Sequence, residues 1–247
     1  MIFFKQNNVD KKIRILWLHG WGLSHEAFSK LEPSFSDFEN VLFDFPGFGK
    51  SDSPDKIWGT EDYADFINEY LKKEKEKDTY IIGQSFGCRV ALRFSNKFPE
   101  KVKGLILISA AGLKRKRSLF FKVKAFCLKC IGRFLKYVDL VFKTKLKSAY
   151  SNRFGSSDYK NAKGIMKNIF VKTISEDLSN IASNIDTNTI LIYGEKDEQT
   201  PPEFGKRYNN LMKNSKYIEL PQFNHYNILS LGRHQLKNII FNFITKG

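Results

Sequence analysis

The sequence predicts an α/β fold, in which a mostly parallel central sheet is flanked by helices and a helical cap is inserted late in the chain. Apolar runs of strand length recur along the 247 residues and alternate with stretches of helical spacing. Most runs are continuous in Ile, Leu and Val, which is typical of strands buried on both faces of a parallel sheet. One interval of about eighty residues lacks any strand pattern, and an ordinary crossover is far shorter.

The apolar runs predict six strands, with a short antiparallel edge beginning at Phe3 and Phe4. The predicted strands are 13–18, 41–44, 79–83, 105–109, 190–194 and 216–220. Apolar residues at steps of three and four predict the helices that separate them. These helical stretches lie around 63–71, 90–94, 204–212 and 236–243.

The strandless interval predicts a division into a core, residues 1–112 and 184–247, and a cap, residues 113–183. From Leu119 to Leu146 the apolar residues follow mostly helical steps and include several phenylalanines. We expect these phenylalanines to form a stripe packed down on the pocket. The alternative is that they form the apolar side of a helix lying at a lipid surface.

Composition and length predict a globular chain, because 42% of residues are hydrophobic and 15% are aromatic. The N-terminus lacks the pattern of a signal peptide, and no run reaches the roughly 18 apolar residues of a spanning helix, so we expect a cytoplasmic protein. Cys88, Cys127 and Cys130 do not form a disulfide framework. Cys127 and Cys130 stand as one C-x-x-C without a second pair or a nearby histidine, which favours packing on one helix face over a zinc site.

Positive charge is concentrated in one part of the chain. The formal net charge is +15, and residues 113–147 carry twelve Lys and Arg against one acid, Asp139, a net charge of +11. This concentration, led by Lys114, Arg115, Lys116 and Arg117, favours an anionic partner such as an acidic carrier protein or an anionic membrane surface. A lysine-rich proteome would produce the same bias without any partner. We do not expect nucleic acid binding, and the sequence makes no prediction of the oligomeric state.

The strongest local motif is Gly83-Gln84-Ser85-Phe86-Gly87. It follows a predicted strand directly and opens a predicted helix, which is the context of a G-x-S-x-G nucleophile turn. The turn projects a serine hydroxyl clear of the sheet, and the two glycines relieve its crowding. Ser85 is therefore the candidate nucleophile; the alternative is a serine in an ordinary glycine turn.

A serine nucleophile needs a base, and the base needs a carboxylate that orients it. His225 follows the last predicted strand, so we expect it at the same sheet edge as Ser85. We expect His25 and His234 at the surface, and His19 in a different role. Asp197 follows the strand ending at Tyr193 and is the candidate carboxylate, with Glu195 and Glu198 as neighbouring alternatives.

The remaining requirement is a pair of fixed donors for a developing oxyanion. One candidate is the backbone N–H of Phe86, which follows the nucleophile. The second is the N–H of Trp21 in His19-Gly20-Trp21-Gly22, a glycine-containing loop after the first long strand. The alternative for this loop is a plain glycine turn.

These motifs together resemble the α/β-hydrolase superfamily. The segment 44–51, Asp-Phe-Pro-Gly-Phe-Gly-Lys-Ser, is similar to a turn of that family, and with His-Gly-Trp-Gly-Leu at 19–23 it is most similar to esterases that cleave pimeloyl-carrier-protein methyl ester. The chain departs from the family at Phe223-Asn224, where a glycine commonly precedes the catalytic histidine. The cap is also more basic than the resemblance implies.

The residues and the resemblance predict a serine hydrolase that cleaves a carboxylic ester, small or carrier-bound, through an acyl-enzyme and without a metal or an organic cofactor. Thioesterases, amidases, lysophospholipases, carbon–carbon hydrolases and cofactor-free haloperoxidases share the same three residues and remain alternatives. A non-catalytic binding protein on the same fold is another. A protein that only binds would not need the complete set of Ser85, Asp197, His225 and two amide loops, so the complete set favours an enzyme.

Overall fold

The computed structural model describes residues 1–115, 119–144, 146 and 156–246. The described strands are Phe4–Asn7 (β1), Ile13–Leu18 (β2), Glu39–Phe43 (β3), Asp78–Gln84 (β4), Gly104–Ile108 (β5), Thr189–Gly194 (β6) and Ser215–Leu220 (β7). They form one sheet in the order β1-β3-β2-β4-β5-β6-β7. β1 pairs antiparallel with β3 and every other pairing is parallel. The predicted mostly parallel sheet and its antiparallel edge are confirmed.

Helices cover both faces of this sheet. The described α-helices are Thr60–Leu71 (α1), Phe86–Lys97 (α2), Leu119–Phe142 (α3), Ser157–Asn161 (α4), Met166–Ser175 (α5), Ser179–Ser183 (α6), Pro202–Leu211 (α7) and Arg233–Lys246 (α8). In β2, Leu16 and Leu18 pack in a buried cluster with α1, α2 and α7, whereas Ile15 and Trp17 pack in a second cluster with α8. Alternate strand residues therefore fill two cores, as the continuous apolar runs require.

Helix α2 runs unusually close to strand β2, and Gly87 makes this approach possible. A Cβ atom at Gly87 would lie 1.9 Å from the carbonyl oxygen of Leu18, well inside van der Waals contact. Because the obstructing atom belongs to the backbone, no side-chain rearrangement relieves the overlap. The second glycine of the G-x-S-x-G motif is therefore a packing requirement between helix and sheet.

The C-terminal part of the interval predicted as a cap packs against the core. Ile169 of α5, Leu178 and Ala182 of α6 lie in the same buried cluster as the sheet residues facing α2. The guanidinium of Arg89 on α2 donates to the carbonyl oxygens of Thr173, at 2.9 Å, and Glu176, at 3.2 Å. Residues 166–183 therefore belong physically to the layer that covers the sheet.

Helix α3 differs from this arrangement, because the side chains of Phe126, Phe134 and Phe142 are 65%, 66% and 71% exposed. The prediction that these phenylalanines pack down on the pocket is wrong. The helix turns another face inward, where Leu135 and Val138 are partly buried. Cys127 and Cys130 are likewise exposed, so their predicted role in packing is also wrong. Within the described ranges, no helix is both long and apolar enough to span a bilayer.

The close approach at Gly87 predicts a large loss of stability on substitution with alanine. Gly87→Ala forces α2 away from β2 and should lower the free energy of unfolding by about 3 kcal/mol, the upper range for overpacked cores. Gly164→Ala is the control, because Gly164 has a φ of +50° and open space around its missing Cβ, so only the left-handed backbone costs about 1 kcal/mol. Urea unfolding of both variants measures the difference, and equal losses would contradict the packing argument.

Candidate active site

Ser85 lies at a sharp turn between β4 and α2, in a strained backbone conformation. Its φ is +51° and its ψ is −103°, outside the regions that L-residues prefer. Such a conformation costs about 1–3 kcal/mol and persists only where the surroundings enforce it. The N–H of Ser85 donates to the carbonyl of Ile108 at 3.0 Å. A Cβ at Gly83 would lie 2.8 Å from the nitrogen of Cys88, so this crowded turn also requires glycine before Gln84.

His225 lies in the loop after β7, and its Nε2 is 3.1 Å from Oγ of Ser85. The loop is anchored to the end of β6 through Phe223, whose carbonyl accepts the N–H of Lys196 at 2.9 Å. The same carbonyl oxygen would lie 2.3 Å from a Cβ at Gly194. Gly194 therefore lets two loops at the carboxyl edge of the sheet touch, and this contact brings His225 over Ser85.

Asn224 explains why this loop does not need the glycine that the resemblance leads one to expect before the histidine. The side-chain oxygen of Asn224 accepts the N–H groups of Tyr226 and Asn227, both at 3.0 Å. In return, the N–H of Asn224 donates to the side chain of Asn227 at 2.8 Å. Side-chain hydrogen bonds of this kind hold a turn, and neither Phe223 nor Asn224 has a positive φ that would favour glycine.

Asp197 is 2% exposed and its Oδ2 lies 2.8 Å from Nδ1 of His225. Its Oδ1 accepts the backbone N–H groups of Gln199, at 2.9 Å, and Thr200, at 2.8 Å. Burial by itself raises the pKa of this carboxyl, but the hydrogen bond and the positive charge of His225, together with the amide of Thr200, outweigh it and hold the pKa below its usual value. The carboxylate is therefore ionised at neutral pH.

The structure also distinguishes Asp197 from its two acidic neighbours. Glu195 is exposed, and its carboxylate accepts the N–H of Gln222 at 3.0 Å. Glu198 is exposed as well. Of the three acids in this loop, Asp197 is the one whose carboxylate lies next to His225.

Thr200 supports the contact between Asp197 and His225, and it was not identified from the sequence. Its hydroxyl oxygen lies 3.0 Å from the carbonyl oxygen of Ser109, 3.0 Å from Oδ2 of Asp197 and 3.2 Å from Nδ1 of His225. The available signal was its position three residues after an aspartate, where a backbone N–H commonly bonds the Asp side chain. Thr200 thus fixes the orientation of the carboxylate.

The other early histidines hold loops near the site. His19 is fully buried; its Nε2 accepts the N–H of Phe45 at 3.0 Å, so the ring proton lies on Nδ1, which donates to the carbonyl of Gly20 at 2.7 Å. Burial lowers the pKa of His19 to about 4, so the ring is neutral at pH 7. The prediction that His25 is a surface residue is wrong, because its side chain is only 13% exposed and its Nδ1 lies 2.7 Å from Oδ1 of buried Asp44.

Trp21 lies in the loop after β2, held by an aromatic cluster. Its ring centroid is 4.8 Å from Phe48, 5.3 Å from Phe86 and 5.0 Å from Phe170. These edge-to-face and tilted contacts fix the loop between the turn at Ser85 and helix α5. Among the described residues, neither the N–H of Trp21 nor that of Phe86 has a hydrogen-bond acceptor. Both amides are therefore available as donors.

A cavity of about 330 Å³ opens beside Ser85 and His225. Its apolar wall includes Leu23 and Leu229, and its polar wall includes Gln84 and Asp158. Partial removal from water raises the pKa of Asp158, although the charge of nearby His225 acts in the opposite direction. Asp158 lies outside every motif and Gln84 is the variable position of G-x-S-x-G, so the sequence identified neither. In the described part of the chain, no three His, Cys, Asp or Glu side chains are grouped to hold a metal ion.

The basic residues predicted to bind a partner are only partly described. Arg115 donates to the carbonyl oxygens of Glu198, at 2.6 Å, and Gln199, at 2.5 Å, and so tethers the loop that carries Asp197. Lys114 is 74% exposed and lies 3.5 Å from the carboxylate of Asp177. Lys116 and Arg117 lie outside the described residues. The structure does not bring Lys114 or Arg115 into the cavity wall.

Comparison with known proteins shows what this chain resembles. A family model described as the alpha/beta hydrolase fold matches residues 13–126. The chain is 28% identical over 241 residues to the pimeloyl-[acyl-carrier protein] methyl ester esterase of Wigglesworthia glossinidia brevipalpis, covering 88% of each chain. It is 21% identical to Lipase 3 of Moraxella sp. (strain TA144), covering 91% of this chain and 75% of the lipase.

Solved structures agree on the fold. A hydrolase from Oleispira antarctica superposes with a TM-score of 0.75 at 18% identity, covering 99% of this chain and 94% of that chain. At this identity the likeness concerns the fold, and the sequence relatives and the matched family model carry the assignment further. The matched family model, the sequence relatives and the fold all support the resemblance to the α/β-hydrolase superfamily that the motifs predicted.

Proposed function

We propose that this protein hydrolyses carboxylic esters, with Ser85 as nucleophile, His225 as general base and acid, and Asp197 as the carboxylate that orients the imidazole. The observation that carries the proposal is the continuous hydrogen-bonded series, 3.1 Å from Ser85 to His225 and 2.8 Å from His225 to Asp197. An esterase and a lipase among the curated relatives support an ester as the substrate. The residues required for acyl transfer all come from this chain.

In the first half of the reaction, Oγ of Ser85 attacks the ester carbonyl carbon while Nε2 of His225 takes the hydroxyl proton. Asp197 accepts the Nδ1–H of His225, which selects this tautomer and stabilises the imidazolium. The N–H groups of Trp21 and Phe86 stabilise the negative charge on the carbonyl oxygen. The carbon–oxygen bond to the alcohol then breaks, and His225 returns the proton to the departing alkoxide.

In the second half, a water molecule replaces the alcohol. His225 takes a proton from the water as its oxygen attacks the acyl carbon, and the second tetrahedral intermediate expels Oγ of Ser85. The proton then passes from His225 to Ser85, which restores the starting state and releases the carboxylic acid. The acyl group would lie in the cavity beside Ser85. The proposed cap, residues 113–183, contributes Ser156, Ser157 and Asp158 to the wall of this cavity.

The first prediction concerns the nucleophile. Ser85→Ala should lower kcat on p-nitrophenyl acetate by up to about 10⁶-fold, because without the nucleophile no acyl-enzyme forms and His225 and Asp197 have no hydroxyl to activate. A fluorophosphonate should label the wild-type chain on Ser85 and leave Ser85→Ala unlabelled in intact-mass measurement. The matched control is Ser36→Ala, an exposed serine outside the cavity wall, which should retain wild-type activity. Undiminished turnover by Ser85→Ala would remove Ser85 from the mechanism.

The second prediction concerns the charge of Asp197. Its pKa is depressed in the folded protein, so its contribution to stability is complete above the unfolded-state pKa of about 3.9 and is lost as the pH falls toward the folded-state pKa. The difference in unfolding free energy between wild type and Asp197→Asn should therefore shrink as the pH is lowered from neutral through about 3.9. Urea titrations followed by tryptophan fluorescence measure this difference, and a difference that is independent of pH would contradict the ionised state assigned to Asp197.

The same variant also tests the role of Asp197 in the reaction. The kcat of Asp197→Asn at neutral pH should fall about 10⁴-fold.

A carrier-bound acyl ester is the finer substrate proposal. The relative from Wigglesworthia glossinidia brevipalpis is named for a pimeloyl-[acyl-carrier protein] methyl ester. The concentration of positive charge in residues 113–147 would speed the encounter with an acidic carrier, since charge complementarity acts mainly on association. Lys114 is the most suitable described residue to test, because its side chain is 74% exposed.

The third prediction follows from this substrate. Lys114→Glu should lower kcat/KM for a carrier-bound methyl ester severalfold at low salt, with a smaller loss at high salt because ions screen exposed charges. Hydrolysis of the free methyl ester should be unchanged. Lys213→Glu, at an exposed position before the amino end of β7, is the matched control. Arg115 is less suitable because its substitution also removes the tether to Glu198 and Gln199. An equal loss of kcat/KM on free and carrier-bound esters would contradict recognition of the carrier. Faster turnover of thioesters or lysophospholipids would contradict the carrier-bound ester as the substrate.

A further inference from the structure

Helix α3 presents an apolar stripe to solvent. Residues three and four apart lie on one face of a helix, and six such residues define the outer stripe: Val123, Phe126, Cys130, Phe134, Tyr137 and Val141. The side chains of Phe126, Phe134 and Tyr137 are 65%, 66% and 64% exposed, and those of Val123 and Val141 are more than half exposed. With 24 residues the helix is about 36 Å long, so the stripe is a long continuous surface.

This pattern differs from that of an ordinary surface helix, which turns its apolar side inward and its charged side to water. In α3 the inward side is also apolar, since Leu135 and Val138 are partly buried. The outer stripe is therefore additional apolar surface that the packing of the protein does not require. Contiguous exposed apolar surface of this kind marks an interaction site.

Cations flank the outer stripe along one side. Arg133, Lys136 and Lys143 are exposed, and none of them forms an ion pair with the residues that the structure describes. On a helical projection all three fall within about 100° of Phe126, on the side of the stripe away from Cys127. An apolar stripe bordered by cations is the arrangement of a helix that lies in the plane of a lipid interface.

The charge and the apolar character of α3 indicate which partner covers the outer stripe. A second copy of the chain would bring two segments of net charge +11 together, and like charges oppose such an interface. An acidic protein would match the cations but would have to offer a complementary apolar groove to cover the stripe. An anionic lipid surface satisfies both features, since headgroups pair with Lys and Arg while the boundary of the acyl chains receives aromatic and aliphatic side chains.

We propose that α3 is an interfacial helix, which docks this protein on anionic lipid surfaces with the outer stripe inserted and Arg133, Lys136 and Lys143 on the headgroups. Such a helix lies on the bilayer without crossing it. The proposal goes beyond ester hydrolysis and does not depend on Ser85, so the two are tested separately. Docking would keep the enzyme beside esters dissolved in or attached to a membrane.

Flotation of the full chain with vesicles provides the test. Vesicles of phosphatidylcholine with about 30% phosphatidylglycerol supply the anionic surface. They should bind the wild-type chain about tenfold or more tightly than pure phosphatidylcholine vesicles at low salt, with a weaker preference at high salt. Binding that is equal for both vesicles, or absent from both, overturns the proposal.

Variants locate the docking surface. Phe126→Ser with Phe134→Ser should lower vesicle affinity about tenfold or more, and Arg133→Glu with Lys136→Glu should abolish the preference for anionic vesicles. The controls change the same number of exposed groups elsewhere: Val9→Ser with Ile57→Ser, and Lys213→Glu with Lys216→Glu. All of these positions are exposed, so the fold should be retained, and hydrolysis of p-nitrophenyl acetate should stay at the wild-type level. Unchanged vesicle binding by the α3 variants overturns the proposal even if the chain is an active esterase.

Cys130 allows a direct readout of insertion, because it lies in the outer stripe and is exposed whereas Cys88 is buried. In Cys127→Ser, an NBD fluorophore on Cys130 should shift to the blue and brighten when anionic vesicles are added. The control carries the same fluorophore at Ser36, an exposed position outside α3. It uses Ser36→Cys in a chain with both α3 cysteines replaced by serine, and its emission should not change. A label on Cys130 that stays in water while the protein floats with the vesicles overturns the proposal.

Two further outcomes assign the outer stripe to another occupant and so overturn the proposal. One is a dimer in sedimentation velocity that the Phe126→Ser, Phe134→Ser variant dissociates. The other is tight binding of an acidic acyl carrier protein that the same variant and Arg133→Glu with Lys136→Glu abolish, without any binding to anionic vesicles.

Discussion

The geometry of the site depends on one strained residue, Ser85, held at a φ of +51° between β4 and α2. The chain reverses there within a single residue, and the reversal is possible only because Gly83 and Gly87 let backbone approach backbone. The buried packing of α2 on the sheet offsets the cost of about 1–3 kcal/mol for such a conformation. The strain in the turn and the packing of the helix therefore depend on each other.

The remaining groups reach Ser85 because parallel strands end at the same edge of the sheet. β4 leads to Ser85, β6 leads to Asp197 and β7 leads to His225. The contact between Gly194 and Phe223 joins the last two loops, and Thr200 orients the carboxylate that they bring together. Neutral His19 and the aromatic neighbours of Trp21 fix the loop that follows β2. Each of these contacts is made by backbone atoms or by buried side chains. Such contacts hold the groups of the site in fixed positions, as electrostatic stabilisation of a transition state requires.

The helices of the region predicted as a cap differ in how they pack. Its later helices, α5 and α6, share the core with the sheet and hold Trp21 through Phe170. Its first helix, α3, stands apart with apolar residues on two sides. The proposed docking surface and the proposed catalytic centre therefore belong to different parts of the fold, and the substitutions that test one change no residue of the other.

The sequence by itself determined the strands, their burial on both faces and the meeting of Ser85, Asp197 and His225 at one edge, because continuous apolar runs and strand-to-loop positions are local patterns. It could not place Gln84 or Asp158 in the cavity wall, since that wall is formed by segments distant in the chain. Thr200 was also missed, although its spacing from Asp197 offered a local signal. Nor could the sequence decide which way α3 faces. A helix with apolar residues on both sides has no periodicity that separates inside from outside, so its exposed phenylalanines and the buried His25–Asp44 contact were decided only by tertiary packing.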